Sequence, residues 1–193
     1  HIPEGMLPMC YPSDHPDGCY IHNWAFWFVL QLSQYLERSG DKELINKAKN
    51  RVYDLLSFTK TFENSDGLLE KVGSWIFVEW SEANDYVLDI NYPSNMLYSL
   101  VLDTVAELYG DSALHEKAEK LRKTIIEKSF DGEFFCDNAV LDENGIGVRT
   151  ENRSETCQYY AFFTKTATKE SFPALYEKMF TEFGPSRDTE KTY

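Results

Sequence analysis

Two stretches of this chain repeat each other, and the repeat limits the possible folds more than any other feature. "YLERSGDKELINKAKNRVYDLL" (residues 35–56) is similar to "VAELYGDSALHEKAEKLRKTII" (105–126). Both read as the end of one helix, a Gly-Asp hinge, and an amphipathic helix with Lys and Glu on its outer face. A weaker third copy, "FTKTATKESFPALYEKMFTEF" (163–183), carries Thr168-Lys169 in place of Gly-Asp. Self-similarity at a long period indicates stacked helix pairs.

The pieces around the repeat follow the same logic. Pro3, Pro8, Pro12 and Pro16 forbid a continuous helix over residues 1–20, which reads as an irregular lead-in. In "HNWAFWFVLQLSQYLERSG", Ala25, Phe28, Val29, Leu32 and Leu36 fall at helical spacing, with Gln31, Gln34 and Arg38 opposite. Gly40 is a natural C-terminal stop, and Asp41 a natural N-cap for a helix running to about Phe62. That second helix places Leu44, Ala48, Val52, Leu55 and Leu56 on one face.

Helical hairpins are thus predicted over residues 21–62, 93–129 and 155–183. The connectors between them, 64–95 and 130–155, each open with an Asp-Gly turn followed by a short extended apolar or aromatic piece. One helix of each pair is apolar and the other charged, so one faces inward and one outward. The predicted fold is all-α: about three helical hairpins with short β pieces in the connecting loops, forming part of an (α/α)6 toroid. Function is expected at the long-loop end, where a rigid scaffold presents its loops.

At 193 residues the chain fits one domain. Its formal net charge of −13 argues against partners coated in phosphate, either nucleic acid or an anionic membrane face. A neutral substrate such as a sugar is compatible with it. No stretch approaches the ~20 apolar residues of a membrane span. Cys10, Cys19, Cys136 and Cys157 form no C-x-x-C pair, so zinc and redox motifs are unsupported. Cys10 and Cys19 would close a small loop in an oxidising compartment, but the sequence leaves the compartment open.

The most unusual local stretch is "SWIFVEW" (74–80), which holds two of the four tryptophans. Alternation places Ile76, Val78 and Trp80 on one face, and Trp75, Phe77 and Glu79 on the other. A carboxylate that shares a face with two aromatic rings is odd for a solvated strand, and points to a sugar contact. Trp24 and Trp27, at i and i+3 on the first helix, have the spacing of a core pair. Trp24, at the helix start, fits a stacking platform equally well, whereas Trp27 sits a turn deeper and fits the core better. His22 and Asn23 beside Trp24 would supply polar groups for sugar hydroxyls. Glu79, Glu82, Asp85 and Asp89 lack the spacing and glycine of a calcium loop and read as a solvated acidic segment, so no metal is expected. His15, His22 and His115 are isolated, His115 on a charged outer helix. No phosphate-binding glycine motif is present, and Asn152-Arg153-Ser154 is a glycosylation sequon in form only.

The order "NWAFWFVLQLSQYLERSGD … DGLLEKVGSWIFVEWSEAN … NMLYSLVLDTVAELYGD … LRKTIIEKSFDGEFFCDN … SETCQYYAFF" resembles the catalytic toroid of bacterial α-L-rhamnosidases, from about Gly5 to Pro185. Those enzymes have an (α/α)6 barrel and hydrolyse terminal α-L-rhamnosides with inversion. "HNWAFW" resembles the family's Asp-plus-Trp entry to an inner helix, with Asn23 where Asp is common and Trp24 as the aromatic. "FVEW" resembles a Phe-x-Asp-Trp segment at the sugar subsite, here Glu79 and Trp80. "SETCQ" resembles the polar start of a later inner helix, with Thr156 and Gln158 matching.

The departures carry equal weight. The family's general acid lies in an upstream Asp-x-x-x-x-Glu stretch that does not precede Trp24 here. Its general base is a Glu of a later repeat, beyond residue 193. The resemblance therefore implies the sugar-binding wall and no catalytic residue within this segment, which alone is expected to be inactive. The expected substrate-binding residues are Trp24, Asn23, His22, Glu79, Trp80 and Trp75, with Glu79 bonding hydroxyls as a clamp and not donating a proton. The two-carboxylate mechanism needs no cofactor. Self-association through an open barrel edge is also expected. Two alternatives stay open: another α/α-toroid glycosidase, a glucosidase or unsaturated-uronide hydrolase using Glu79 or Asp85, and a non-catalytic helical-hairpin binding module marked by an exposed concave apolar surface.

Overall fold

The computed structural model describes residues 1–10 and 18–184; Pro12, His15, Pro16 and Pro185, named above, lie outside the described residues. Among the described residues six α-helices form, in the order α1 (His22–Ser39), α2 (Lys42–Lys60), α3 (Tyr92–Tyr109), α4 (Ser112–Ser129), α5 (Glu155–Phe163) and α6 (Pro173–Thr181). The chain is mostly helical, as part of an α/α toroid is.

Each Gly-Asp hinge reverses the chain by the same device. Gly40 and Gly110 adopt left-handed backbone (φ 67 and 72), and each donates its N–H to the carbonyl four residues back, Leu36 or Ala106, at 2.8 Å. Asp41 then caps α2, its carboxylate accepting from the Leu44 N–H at 3.0 Å. Asp111 precedes α4 without a side-chain cap; its carboxylate instead accepts from the Tyr53 hydroxyl at 2.9 Å, tying the second hinge to the middle of α2. The third copy has no glycine here, and Lys165 takes the left-handed position after α5 (φ 61).

The inner helix α3 packs against α1 on one side, α5 on the other and α4 behind. It is buried without a break from Tyr92 to Ser99. The outer helices bury only one stripe: Ile45, Val52, Leu55 and Leu56 on α2, and Ala118, Leu121 and Ile125 on α4. The α2 stripe begins at Ile45; Leu44, its predicted first member, is 41% exposed. A shift of one residue rotates a helical position by about 100°, which is enough to take Leu44 off the face that meets the core.

The long connectors all lie at the end where α1, α3 and α5 begin. Strands β1 (Ile90–Asn91), β2 (Asn138–Leu141) and β3 (Gly147–Arg149) form one antiparallel sheet in that order, with Ile90 opposite Ala139 and Ala139 opposite Arg149. The sheet binds the connector after α2 to the connector after α4. The lead-in joins them through a parallel bridge between Ile21 and Trp75.

The two connectors share a hydrogen-bonding plan, with small differences of register. Each begins with an Asx turn. The Asn64 side-chain oxygen accepts from the Asp66 and Leu68 N–H groups, and Asp131 accepts from Glu133 and Phe134. Glu70 N–H then bonds back to Phe62 C=O, as Cys136 N–H does to Ser129 C=O, both at 2.9 Å. The residue between is held by an amide side chain on the fourth position of the next inner helix. Asn95 accepts from Leu69 N–H (2.7 Å) and donates to Leu69 C=O (3.1 Å). Gln158 does the same for Phe135 (2.9 and 2.8 Å). All four residues are buried.

Candidate functional site

The aromatic residues of "SWIFVEW" meet α1 at the long-loop rim. The Trp24 ring stands edge-on to Phe77 at 6.2 Å between centroids. Phe77 in turn touches Trp75 (5.9 Å) and Trp80 (4.9 Å), and Trp75 lies 6.5 Å from Trp80. The contacts are edge-to-face, the arrangement that aromatic quadrupoles favour. Trp24 and Trp75 are each 40% exposed and Trp80 is 80% exposed. Four rings from two distant parts of the chain thus form one open apolar wall.

The segment itself is not a strand with two faces. Ile76 and Val78 are buried, with Ala83, in a small satellite core that includes Val72, Val87 and Tyr160. Trp80, which alternation assigned to their face, points to solvent instead. The chain turns at Glu79, whose carboxylate accepts from the Trp80 N–H at 2.6 Å while its carbonyl accepts from the Ser81 N–H at 2.9 Å. That turn breaks the period of two. Ser74, at the other end, sits in left-handed backbone (φ 63) and accepts from the Tyr20 N–H, so the stretch is bent at both ends.

Below the wall, Tyr160 donates to Val78 C=O at 3.2 Å. Its phenol is pushed up to about 12 by burial and by the charge of Glu79, partly offset by a hydrogen bond from Trp27. Beside the wall, Leu7–Cys10 of the lead-in and Trp24, Ala25, Trp27, Phe28 and Gln31 of α1 enclose a groove of about 610 Å³. Trp24 belongs to both features.

His22 and Asn23 are corrections to the expected site. Each is 1% exposed, so neither presents a polar atom to the wall. The His22 Nε2 pairs with the Thr59 hydroxyl of α2 at 2.8 Å, and the Asn23 amide donates to Ser94 of α3 at 3.0 Å. Both lie on the side of α1 that the neighbouring helices cover, which a single helix pattern does not reveal. Trp24, Trp75, Trp80 and Glu79 are brought together; His22 and Asn23 are not. Phe77 is the wall residue left out of the expected set, although alternation had placed it beside Trp75.

No protein-family description matches this chain, and no curated sequence relative matches it. Solved structures do. A GH78 family rhamnosidase of Bacillus sp. GL1 superposes with a TM-score of 0.74 at 20% identity, over 88% of this chain and 18% of that one. A rhamnosidase from Klebsiella oxytoca with rhamnose bound superposes with a TM-score of 0.71 at 12% identity, over 95% of this chain and 35% of that one. The fold is rhamnosidase-like. At such identities the likeness concerns the fold, and the chain spans well under half the length of either structure.

Within this rhamnosidase-like fold one carboxylate stands out that no sequence signal marked. Asp137 is wholly buried and accepts from both the N–H and the hydroxyl of Ser154 at 2.6 Å. Ser154 in turn caps α5 by accepting from the Cys157 N–H at 3.0 Å. Burial raises the Asp137 pKa to about 6, against the lowering effect of the two Ser154 bonds, and Glu82 nearby adds a smaller upward push. A folded-state value above the unfolded 3.8 means that this group favours the folded state when protonated. Its contribution is complete below 3.8 and is lost as pH rises through 6, by about 3 kcal/mol at ~1.36 kcal/mol per unit. Asp137→Asn is expected to remove this component. The urea midpoint of the variant, compared with wild type from pH 4 to pH 7, should gain stability on the alkaline side relative to the acid side. Parallel pH profiles for the two proteins would refute this.

Proposed function

We propose that the wall of Trp24, Trp75, Phe77 and Trp80 is a saccharide-binding surface, and that the chain serves an inverting glycoside hydrolase acting on terminal α-L-rhamnosides. The observation that carries the reading is the assembly of three exposed indoles and a carboxylate at the long-loop rim of a rhamnosidase-like fold. Indole faces accept the C–H face of a sugar, and Glu79, at the edge of the wall, accepts from hydroxyls. In this reading Glu79 positions the sugar, and the acid and base that carry out inversion come from outside residues 1–193. The rhamnose bound in the Klebsiella oxytoca structure supports the choice of sugar.

Trp80 offers the clean probe, because at 80% exposure its removal leaves the core untouched. Trp80→Ala is expected to weaken L-rhamnose binding about tenfold, or ~1.4 kcal/mol, with an unchanged melting temperature. Quenching of tryptophan fluorescence by L-rhamnose, against D-glucose and an unsaturated uronic acid, reads both affinity and choice of sugar. Turnover of aryl glycosides of the same three sugars by the full gene product tests the activity. Cleavage of another glycoside with no cleavage of the rhamnoside would overturn the substrate assignment. Glu79→Gln should weaken binding while leaving turnover measurable; complete loss of turnover with unchanged binding would make Glu79 catalytic.

A further inference from the structure

A second cavity, of about 400 Å³, opens between the Asx turn after α2, the start of α3 and the β2–β3 hairpin. It shares no lining residue with the indole wall or with the groove beside it. Tyr92, the first residue of α3, lines it and is only 2% exposed. Among the described residues the Tyr92 hydroxyl has no hydrogen-bond partner. The ring is buried in the core while the hydroxyl reaches the cavity, where a ligand can take its proton or its lone pairs. Burial holds this phenol well above its ordinary pKa, so it remains a neutral group with one proton to give and lone pairs to accept.

The chemistry of the walls selects among ligand classes. Asp66 is paired with Lys128 at 3.1 Å, and Glu70 accepts from the Asn64 amide at 3.0 Å. A small anion would meet two carboxylates. A cation would compete with the Lys128 ammonium for Asp66, and no group of three His, Cys, Asp or Glu able to hold a metal ion occurs among the described residues. Leu68, Ile90 and Ile146 supply an apolar side, and Gly145 and Gly147 leave the hairpin edge without side chains. A neutral ring with several hydroxyls satisfies all of this at once. Its hydroxyls donate to Asp66 and Glu70 and accept from Lys128 and Tyr92, while its C–H face rests on the aliphatic side. The volume lies at the lower end of the ~300–1,000 Å³ of small-molecule sites, suited to one ring.

We infer that this cavity is a second carbohydrate-binding pocket, which takes a single neutral sugar ring and uses the Tyr92 hydroxyl as a hydrogen-bonding contact. It stands apart from the proposed indole wall and does not depend on it. The test is saturation-transfer NMR with L-rhamnose and D-glucose on the intact chain carrying Trp80→Ala, so that the wall is already impaired. Transfer to at least one of the two sugars is expected to persist in Trp80→Ala. Adding Tyr92→Phe should weaken the binding about fivefold, the worth of one hydrogen bond of ~1 kcal/mol. Because this hydroxyl has no protein partner, Tyr92→Phe should melt at the wild-type temperature. Lys128→Met, at a half-exposed position, provides a second variant with the same expected loss. Absence of transfer from both sugars in Trp80→Ala would overturn the inference. So would transfer that neither Tyr92→Phe nor Lys128→Met reduces, or tighter binding of choline or sulfate than of either sugar.

Discussion

Gln158→Ala is expected to cost about 3–5 kcal/mol, a large part of the ~5–15 kcal/mol that holds a domain of this size together. The side chain is 1% exposed and makes three hydrogen bonds: it accepts from Phe135 N–H and donates to Phe135 C=O and Ser154 C=O. Truncation leaves the Phe135 N–H and C=O buried without partners, and each orphaned group costs ~1–3 kcal/mol. Phe135 is itself fully buried, so water cannot take over these bonds. Asn95→Ala should behave alike, since Asn95 bonds Leu69 N–H, Leu69 C=O and Asn91 C=O from the equivalent position of α3. Equilibrium urea denaturation measures both losses. Hydrogen exchange at the Leu69 and Phe135 amides should accelerate only in the corresponding variant. A change below ~1 kcal/mol in either would show that the clamp contributes little.

Acidification is expected to act on His22 with nearly the same size and the opposite sign to its effect on Asp137. His22 lies among the rings of Tyr20, Phe26, Phe58 and Phe62, at centroid distances of 4.9 to 6.3 Å, and its buried Nδ1 has no partner among the described residues. Burial lowers its pKa from 6.5 to about 4. A folded-state value below the unfolded one means that the unfolded chain takes the proton first as pH falls. The stability that His22 confers is therefore full above 6.5 and is lost progressively as pH falls through 4. The loss amounts to about 3 kcal/mol at ~1.36 kcal/mol per unit. Over the same window Asp137 gains stability by becoming protonated, so in the wild type the two slopes largely cancel. Single variants unmask them. His22→Gln, which keeps a partner for Thr59, should become more stable relative to wild type as pH falls from 7 to 4. Asp137→Asn should become less so. An NMR titration giving His22 a pKa near 6.5 would contradict this account, as would an unchanged pH profile in His22→Gln.

The helices, their hinges and the inward and outward roles of each pair were legible because their signals are local. Gly40 and Gly110 are needed where the backbone turns left-handed, and each Asp follows one residue later. The identical hinges made the hairpin repeat visible in residues 35–56 and 105–126. The connector repeat was only half visible. Asp66-Gly67 and Asp131-Gly132 look equivalent, yet the residue that organises the first turn is Asn64, two positions earlier, whereas in the second it is Asp131 itself. The resemblance carried by Thr156 and Gln158 marked a polar helix start. The backbone that Gln158 holds, more than twenty residues away, became apparent only in the folded chain.

What the sequence by itself determined is the local conformation: where helices begin and end, that α2 and α4 are each apolar on one side and charged on the other, and that aromatic residues gather in residues 74–80. Those features follow from backbone preference and from periodicity within a few residues. Tertiary structure alone decided which polar and aromatic groups face water. His22 and Asn23 sit beside Trp24 in sequence, yet α2 and α3 cover the first two and leave Trp24 on the rim. Trp80 left the face shared by Ile76 and Val78 because Glu79 bonds the next N–H and turns the chain. Asp137 became a buried carboxylate because Ser154, at the start of α5, closes over it. Desolvation and hydrogen bonding depend on what arrives from elsewhere in the chain, and that arrival made the site.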